Sequence, residues 1–325
     1  TIKQDTSSLA IRHLSQAEAT FSCKLKGLRT VKGLAVQISA ELDAGYRILI
    51  EKRKNASSPV WETATHALTS RDFTVSDGLL SLTKAIWDKH PLLSEFAPGI
   101  AAKANASWAE ALHFRQEVRT NEVVSAGFRP PQIGALHAVA AHWSISNKPA
   151  LVVMPTGTGK TEVMLACMLM RAPKRLLVLV PSDALRAQTV NKFIRLGVLP
   201  QLGVLNSAVI NPVVGMIRRT FRSKSDVTPL QGCNVIVSTV AAIQGVPRAV
   251  LRELLGAFDA VFFDEAHHLP ALSWERISDA LKDQTVLQFT ATPFRLDGRR
   301  IPGRIIYNFP LRLAQSQGYF RKIHF

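Results

Sequence analysis

Four times from residue 150 onward a short apolar run gives way to an amphipathic stretch of helical period, and a fifth run closes the series. The runs are ALVVMP (150–155), RLLVLVP (175–181), NVIVST (234–239), DAVFFDEA (259–266) and VLQFTAT (286–292). They are short and rich in Val, Leu and Phe, as strands buried on both faces must be. The stretches between them, TEVMLACMLMRA, ALRAQTVNKFIRLG, PRAVLRELLG and SWERISDAL, carry apolar residues at helical spacing. Repeated strand and helix with right-handed crossovers predicts an open, doubly wound parallel sheet with helices on both faces. Such a sheet places its ligand site at the carboxyl ends of the strands.

The chain has 325 residues, 47% of them hydrophobic, enough for two domains with cores of their own. Before residue 150 the texture changes. LAVQISAEL (34–42) and YRILIEKR (46–53), joined by Asp43-Ala44-Gly45, predict a strand pair, and helices are expected near 79–90 and 106–119. Residues 1–125 therefore form an expected mixed α+β accessory domain. A nuclease reading of that domain would use Asp43, Glu51 and Lys54, whose spacing fits a solvated hairpin face better.

Composition narrows the classes of partner. The formal net charge of +16 draws in polyanions, so nucleic acid is the expected partner. Mean hydropathy is near zero and no apolar run approaches the roughly 20 residues a bilayer requires, so no membrane span is expected. The first thirty residues lack a secretory apolar core. Cys23, Cys167 and Cys233 lie far apart without a CxxC pair, which argues against a disulfide framework or structural zinc and for the cytoplasm.

Two motifs fall at predicted strand ends. Pro155-Thr156-Gly157-Thr158-Gly159-Lys160-Thr161 lies between a strand and a helix. Its glycines allow a tight loop whose backbone N–H groups can surround phosphates at the positive end of the helix. Lys160 can reach the terminal phosphates, and Thr161 offers a hydroxyl to a bridging Mg²⁺. The general pattern GxxxxGK[ST] lacks its first glycine, which is Met154 here. The second motif, Asp264-Glu265-Ala266-His267, follows an apolar strand. Asp264 can hold Mg²⁺ through water, and Glu265 can act as general base on the water attacking a γ-phosphate. A lone Asp-Glu pair would equally cap a helix, but the upstream phosphate loop favours hydrolysis. His267 and His268 are adjacent, a spacing that rarely aims two rings at one ion.

MPTGTGKT (154–161), FDEAHH (263–268) and TATPF (290–294), in this order, resemble the first motor domain of a superfamily-two helicase or translocase. The resemblance is to the DEAD/DEAH-box branch that includes restriction-enzyme motor subunits and excision-repair helicases, in which Met or Ala replaces the lost glycine. It covers residues from about 125 onward. It implies a RecA-like phosphate-loop fold (126–310), ATP and Mg²⁺ as cofactors, and DNA, or RNA, as substrate. FRPPQIGALHAV (128–139) resembles the element in which a glutamine, here Gln132, reads the adenine edge. LVPSDALRAQ (179–188) and VSTVAAI (237–243) resemble strand-end motifs that face nucleic acid, which puts Ser182, Arg186 and Thr239 forward as contacts. By their residue types alone, Ser182 also suits a helix cap, Thr239 a strand end and Arg186 a helix surface. Thr290 and Thr292 resemble the motif that couples the nucleotide and nucleic-acid sites, a role shared with His267.

The family's motor has two lobes, and the second supplies arginine fingers. Residues 295–325 carry seven Lys or Arg and one Asp, a basic tail suited either to touching nucleic acid or to leading into that second lobe; YNFPLRLAQSQGYFRKI (307–323) resembles the segment that does the latter, and 311–325 is the expected start of the linker. The expected protein is a helicase or translocase of a prokaryotic restriction or phage-defence system, with a second motor lobe as partner in a longer chain. Two other readings stay open: the motor part of a complex with a nuclease or defence partner, and an ATP-gated scaffold.

Overall fold

The computed structural model of the protein describes residues 97–119, 124–217, 219–268, 271–281, 284–295 and 297–320, and before residue 97 the backbone of eight strands. These strands are β1 (Leu9–His13), β2 (Leu25–Val31), β3 (Ala35–Ala40), β4 (Arg47–Glu51), β5 (His66–Thr69), β6 (Asp72–Ser76), β7 (Leu79–Thr83) and β8 (Ile86–Lys89). After them come α1 (Ala97–Ala106), β9 (Val118–Arg119), β10 (Val124–Ser125), α2 (Pro130–Ile145), β11 (Ala150–Val153), α3 (Lys160–Arg171), β12 (Leu176–Val180) and α4 (Asp183–Arg195). The chain continues through β13 (Val213–Ile217), β14 (Val235–Thr239), α5 (Val240–Gln244), α6 (Arg248–Gly256), β15 (Ala260–Phe263), α7 (Ala271–Ser278), β16 (Thr285–Thr290), β17 (Arg304–Asn308) and α8 (Leu311–Ser316).

Seven strands form the parallel sheet, in the order β17, β11, β16, β15, β12, β14, β13. Successive residues of each inner strand point to opposite faces, and both faces are apolar. Val152, Val178, Val237, Phe262 and Phe289 enter one core with Leu136 of α2, Val163 of α3 and Phe193 of α4. Leu151, Leu177, Ile236, Val261 and Phe263 enter the other with Ile243 of α5, Leu254 of α6 and Ile277 of α7. This double burial explains why the strands read as continuous apolar runs. The doubly wound α/β arrangement is the one expected. Cys167 and Cys233 are free and buried, and burial pushes the Cys233 thiol up to about 12.

Beyond β13 the sheet continues through β1, which runs antiparallel with Leu9 opposite Ile217 and His13 opposite Val213. Next come β8, β5, β4, β3 and β2. The expected strand pair is present as β3 and β4, antiparallel, with Ile38 opposite Ile48. Asp43 and Lys54 of the nuclease reading lie outside the described residues, and Glu51 ends β4.

Both expected helices of this region are corrected. Residues 79–90 contain β7 and β8, not a helix. β7 pairs antiparallel with β6, Ser76 opposite Leu79, around Asp77-Gly78, a dipeptide that is a strong hairpin signal and outweighs the apolar spacing that suggested a helix. Residues 107–119 are likewise not helical, because α1 ends at Ala106. Tertiary partners take the following chain. Trp108 Nε1 donates to the Ile210 carbonyl at 3.0 Å, and the Ser107 hydroxyl accepts from Ile210 N–H at 2.9 Å.

Asn234 ties these layers together. It is 1% exposed; its Nδ2 donates to Ala101 O of α1 at 2.8 Å and its Oδ1 accepts from Val213 N–H of β13 at 3.0 Å. Asn234→Ala strands a buried donor and a buried acceptor, and should lower unfolding free energy by about 3 kcal/mol, read as a shifted midpoint in denaturant titration. A shift below about 1 kcal/mol would show that water replaces both partners.

Candidate nucleotide site

The loop after β11 is built around two glycines in the left-handed region. Gly157 has φ 89° and Gly159 has φ 93°, backbone that side chains rarely adopt. A Cβ on Gly159 would lie 2.0 Å from Gln132 Nε2, so a side chain there would also push the Gln132 amide away from the loop. Thr158 is buried and its hydroxyl donates to Pro155 O at 2.6 Å, which pins the loop from within. Thr156 is exposed on the outer side, its hydroxyl 3.5 Å from Lys160 Nζ. Gln132 Oε1 accepts from Arg129 N–H at 2.8 Å and its Nε2 donates to Gly159 O at 3.4 Å. Its amide thus braces the loop in this state.

The acidic motif stands across the same cleft, because β16 lies between β11 and β15 and all three end on one side. Lys160 is 7% exposed and its Nζ lies 2.9 Å from Glu265 Oε1. The Asp264 carboxyl is pushed from the ordinary 3.8 up to about 6, first by burial and then by the neighbouring Glu265 charge, against the opposing pull of Lys160. Asp264 Oδ1 accepts from Glu265 N–H at 3.0 Å. Glu265 itself has φ 50°, an uncommon value outside glycine that marks strain at this corner.

From Glu265 a polar chain runs to the end of β16. Glu265 Oε2 lies 3.4 Å from His267 Nδ1, and that nitrogen is 3.0 Å from the Thr290 hydroxyl. Burial and the adjacent His268 hold His267 below the usual histidine range, so the ring is neutral at neutral pH and this link is dipolar. Thr290 Oγ1 in turn donates to Thr292 O at 2.8 Å. His267, Thr290 and Thr292, the three residues expected to couple sites, are therefore hydrogen-bonded in one line that ends beside Glu265, whose Oε2 has no hydrogen-bond partner of its own. His268 is exposed, and among the described residues no cluster of three or more His, Cys, Asp or Glu side chains is arranged to hold a metal ion.

Each of the expected nucleic-acid contacts makes a hydrogen bond within the chain. Ser182 caps α4, accepting from Leu185 N–H at 3.3 Å, and Thr239, buried at the end of β14, caps α5 through Ala242 N–H at 3.3 Å. Arg186 Nη1 donates to Ile217 O at 2.8 Å and lies 3.1 Å from Asp183 Oδ1, so its guanidinium ties α4 to β13.

The motifs lie on a cavity of about 490 Å³ that also contains residues no motif announces. Lys192 Nζ donates to the Thr161 hydroxyl at 3.1 Å. Arg129 Nη1 donates to Gly157 O at 3.3 Å and its Nε stands 4.0 Å from Glu117. The signal for Lys192 was the spacing of Leu185, Gln188, Thr189 and Lys192, one face of α4, all of which line the cavity. Arg129 lies in the FRPPQIGALHAV element, where only Gln132 has an expected role, and for Glu117 the sequence holds no comparable pattern.

A glycine-lined loop at a helix start, an acidic strand end and a parallel sheet buried on both faces define a RecA-like phosphate-loop domain. The family model described as "Type III restriction enzyme, res subunit" matches residues 125–295, over half of the sequence, and the chain belongs to that family. Among solved structures it is similar to the UvsW helicase from bacteriophage T4, at 17% identity over 55% of this chain and 56% of that one, with a TM-score of 0.37. A nuclease-deletion mutant of the Type ISP restriction-modification enzyme LlaGI, in complex with a DNA substrate mimic, matches at 19% identity over 59% of this chain and 20% of that one, TM-score 0.37. The Pyrococcus furiosus Hef helicase domain matches at 21% identity over 49% of this chain and 33% of that one, TM-score 0.33. The chain thus spans between 20% and 56% of the lengths of these structures. No curated protein sequence matches it. Among the described residues no helix is long and apolar enough to cross a membrane.

The raised Asp264 carboxyl sets a pH dependence. Folded Asp264 keeps its proton up to about 6, against an ordinary 3.8, so its ionisation costs the folded state stability as pH rises through that window, and the cost stays in full above it. Asp264→Asn should therefore raise the metal-free melting temperature near neutral pH by a few degrees, equivalent to about 1–2 kcal/mol after solvent screening. The gain should disappear by about pH 4. A melting temperature unchanged or lowered at neutral pH would mean that Lys160 already compensates the charge.

Proposed function

We propose that this chain is the ATP-hydrolysing part of a nucleic-acid motor that acts on DNA. The observation that supports it most is the meeting of Lys160, Asp264 and Glu265 from two strand ends on one 490 Å³ cavity. The residues suit ATP·Mg²⁺. The loop glycines leave room for phosphate oxygens at the start of α3, and Asp264 is a partly buried carboxylate whose pKa stays raised in spite of Lys160 and Lys192. In this reading Thr161 and Asp264 hold Mg²⁺, the loop from Thr156 to Gly159 cradles the phosphates with its N–H groups, and Lys160 leaves Glu265 for the terminal phosphates. A Mg²⁺ ion held by Thr161 and Asp264 would supply positive charge against the charge that develops on the phosphates.

Glu265, released from Lys160, orients the attacking water and accepts its proton. His267, neutral and hydrogen-bonded toward Thr290, then reports the state of that carboxylate to Thr290 and Thr292 at the end of β16. For Gln132, adenine recognition requires the amide to exchange its bonds to Arg129 and Gly159 for the base edge. DNA as the substrate is supported by the net charge of +16 and by the restriction-enzyme family to which the chain belongs. Contact with it through Ser182, Arg186 and Thr239 would use the helix amino ends that they cap or brace. Residues 1–125 are then an accessory domain, 126–310 the motor lobe and 311–325 the entry to a second lobe.

Fluorescent-ATP binding and phosphate release test this. Lys160→Ala should weaken ATP binding at least about tenfold, whereas Glu265→Gln should bind ATP and lose about 10²-fold or more in turnover. Duplex DNA should raise the wild-type rate. ATP turnover that survives Lys160→Ala undiminished would overturn the reading.

A further inference from the structure

We propose that Lys192 is a built-in counter-cation that holds the metal's place between Thr161 and Asp264, so that a divalent ion must displace its ammonium group to bind. The inference rests on the reading of Thr161 and Asp264 as the metal ligands. No sequence motif includes Lys192; it enters the site because α4 packs on β12, β13 and β14 and turns the face carrying Leu185, Gln188, Thr189 and Lys192 to the cavity. Its ammonium donates to the Thr161 hydroxyl at 3.1 Å, the atom through which Thr161 would bind the metal. It also lies near enough to Asp264 to help keep that carboxylate charged.

Lys192 adds a cation to a cleft whose lining is otherwise richer in carboxylates than in cations. Asp264 and Glu265 contribute two negative charges to the end of the cleft, and Lys160, 2.9 Å from Glu265, answers one of them. Lys160 also acts on Asp264, and Lys192 adds a second, weaker cationic influence on that carboxylate. A lysine suits a place-holder because its compact charge sits on a flexible four-carbon stem. The root of that stem is fixed, since Lys192 O accepts from Leu196 N–H and, at 2.8 Å, from Gly197 N–H at the end of α4. Release of the ammonium therefore needs only side-chain rotation. Nucleotide phosphates entering the cavity would draw the ammonium off Thr161 and open the position to the metal, which makes nucleotide and metal binding mutually reinforcing.

Mn²⁺ titration of the full chain, followed by electron paramagnetic resonance of the free ion, tests this with and without a non-hydrolysable ATP analogue. Without nucleotide, Lys192→Met, which keeps the apolar stem, should bind Mn²⁺ about tenfold more tightly than wild type, as expected for removing one like charge beside a half-buried site. Lys192→Arg should match wild type, and the gain in Mn²⁺ affinity on adding the analogue should shrink in Lys192→Met. Unchanged melting temperatures establish that the variants fold. Equal or weaker Mn²⁺ binding by Lys192→Met overturns the proposal. Asp264→Asn then separates the two levels. If it abolishes Mn²⁺ binding, the metal-ligand reading stands without the place-holder; if it leaves binding intact, both fall.

Discussion

Everything at the site depends on a sheet buried on both faces. With Val152, Val178 and Phe289 turned to one core and Leu151, Leu177 and Phe263 to the other, no strand interior can take an uncompensated charge. Polar chemistry is pushed to the carboxyl ends, where helices begin and backbone N–H groups are free. The strand order then decides which ends meet. Placing β16 between β11 and β15 puts the phosphate loop, the acidic motif and Thr290 on one rim, although some 140 residues of chain separate the first from the last.

On that rim the controlling quantity is charge. Two carboxylates end one strand, and burial raises the cost of keeping both ionised. Lys160 answers Glu265 directly, while Asp264 is left with a carboxyl that keeps its proton to about 6. A pair of groups driven apart in this way, one tied and one wanting positive charge, is what a metal-assisted phosphate chemistry needs before its ligands arrive. The left-handed backbone of Glu265 fits the same picture, since strain at one corner is affordable when two neighbours hold it.

Most of the motor half was legible because its signals are local. The apolar runs mark β11, β12, β14, β15 and β16, and the loop glycines and the Asp264-Glu265 pair carry their chemistry in consecutive residues. Where local pattern met a competing signal, expectation failed. Asp77-Gly78 made a hairpin of 76–79 where apolar spacing suggested a helix, and Ile210, a hundred residues away, drew Ser107 and Trp108 out of one. β13 went unseen because Gly215 interrupts its apolar run.

Sequence alone determined the α/β alternation, the loop that only glycine can form and the identity of the acidic pair, since each depends on neighbours within a few residues. Tertiary structure decided which of these groups face one another. It joined Lys160 to Glu265, ran His267 on to Thr290, turned Ser182 and Thr239 to capping duty and brought Lys192 onto Thr161. Those pairings come from the order of strands in the sheet and from which face α4, packed on that sheet, presents to the cavity, and both are settled by packing across the whole domain.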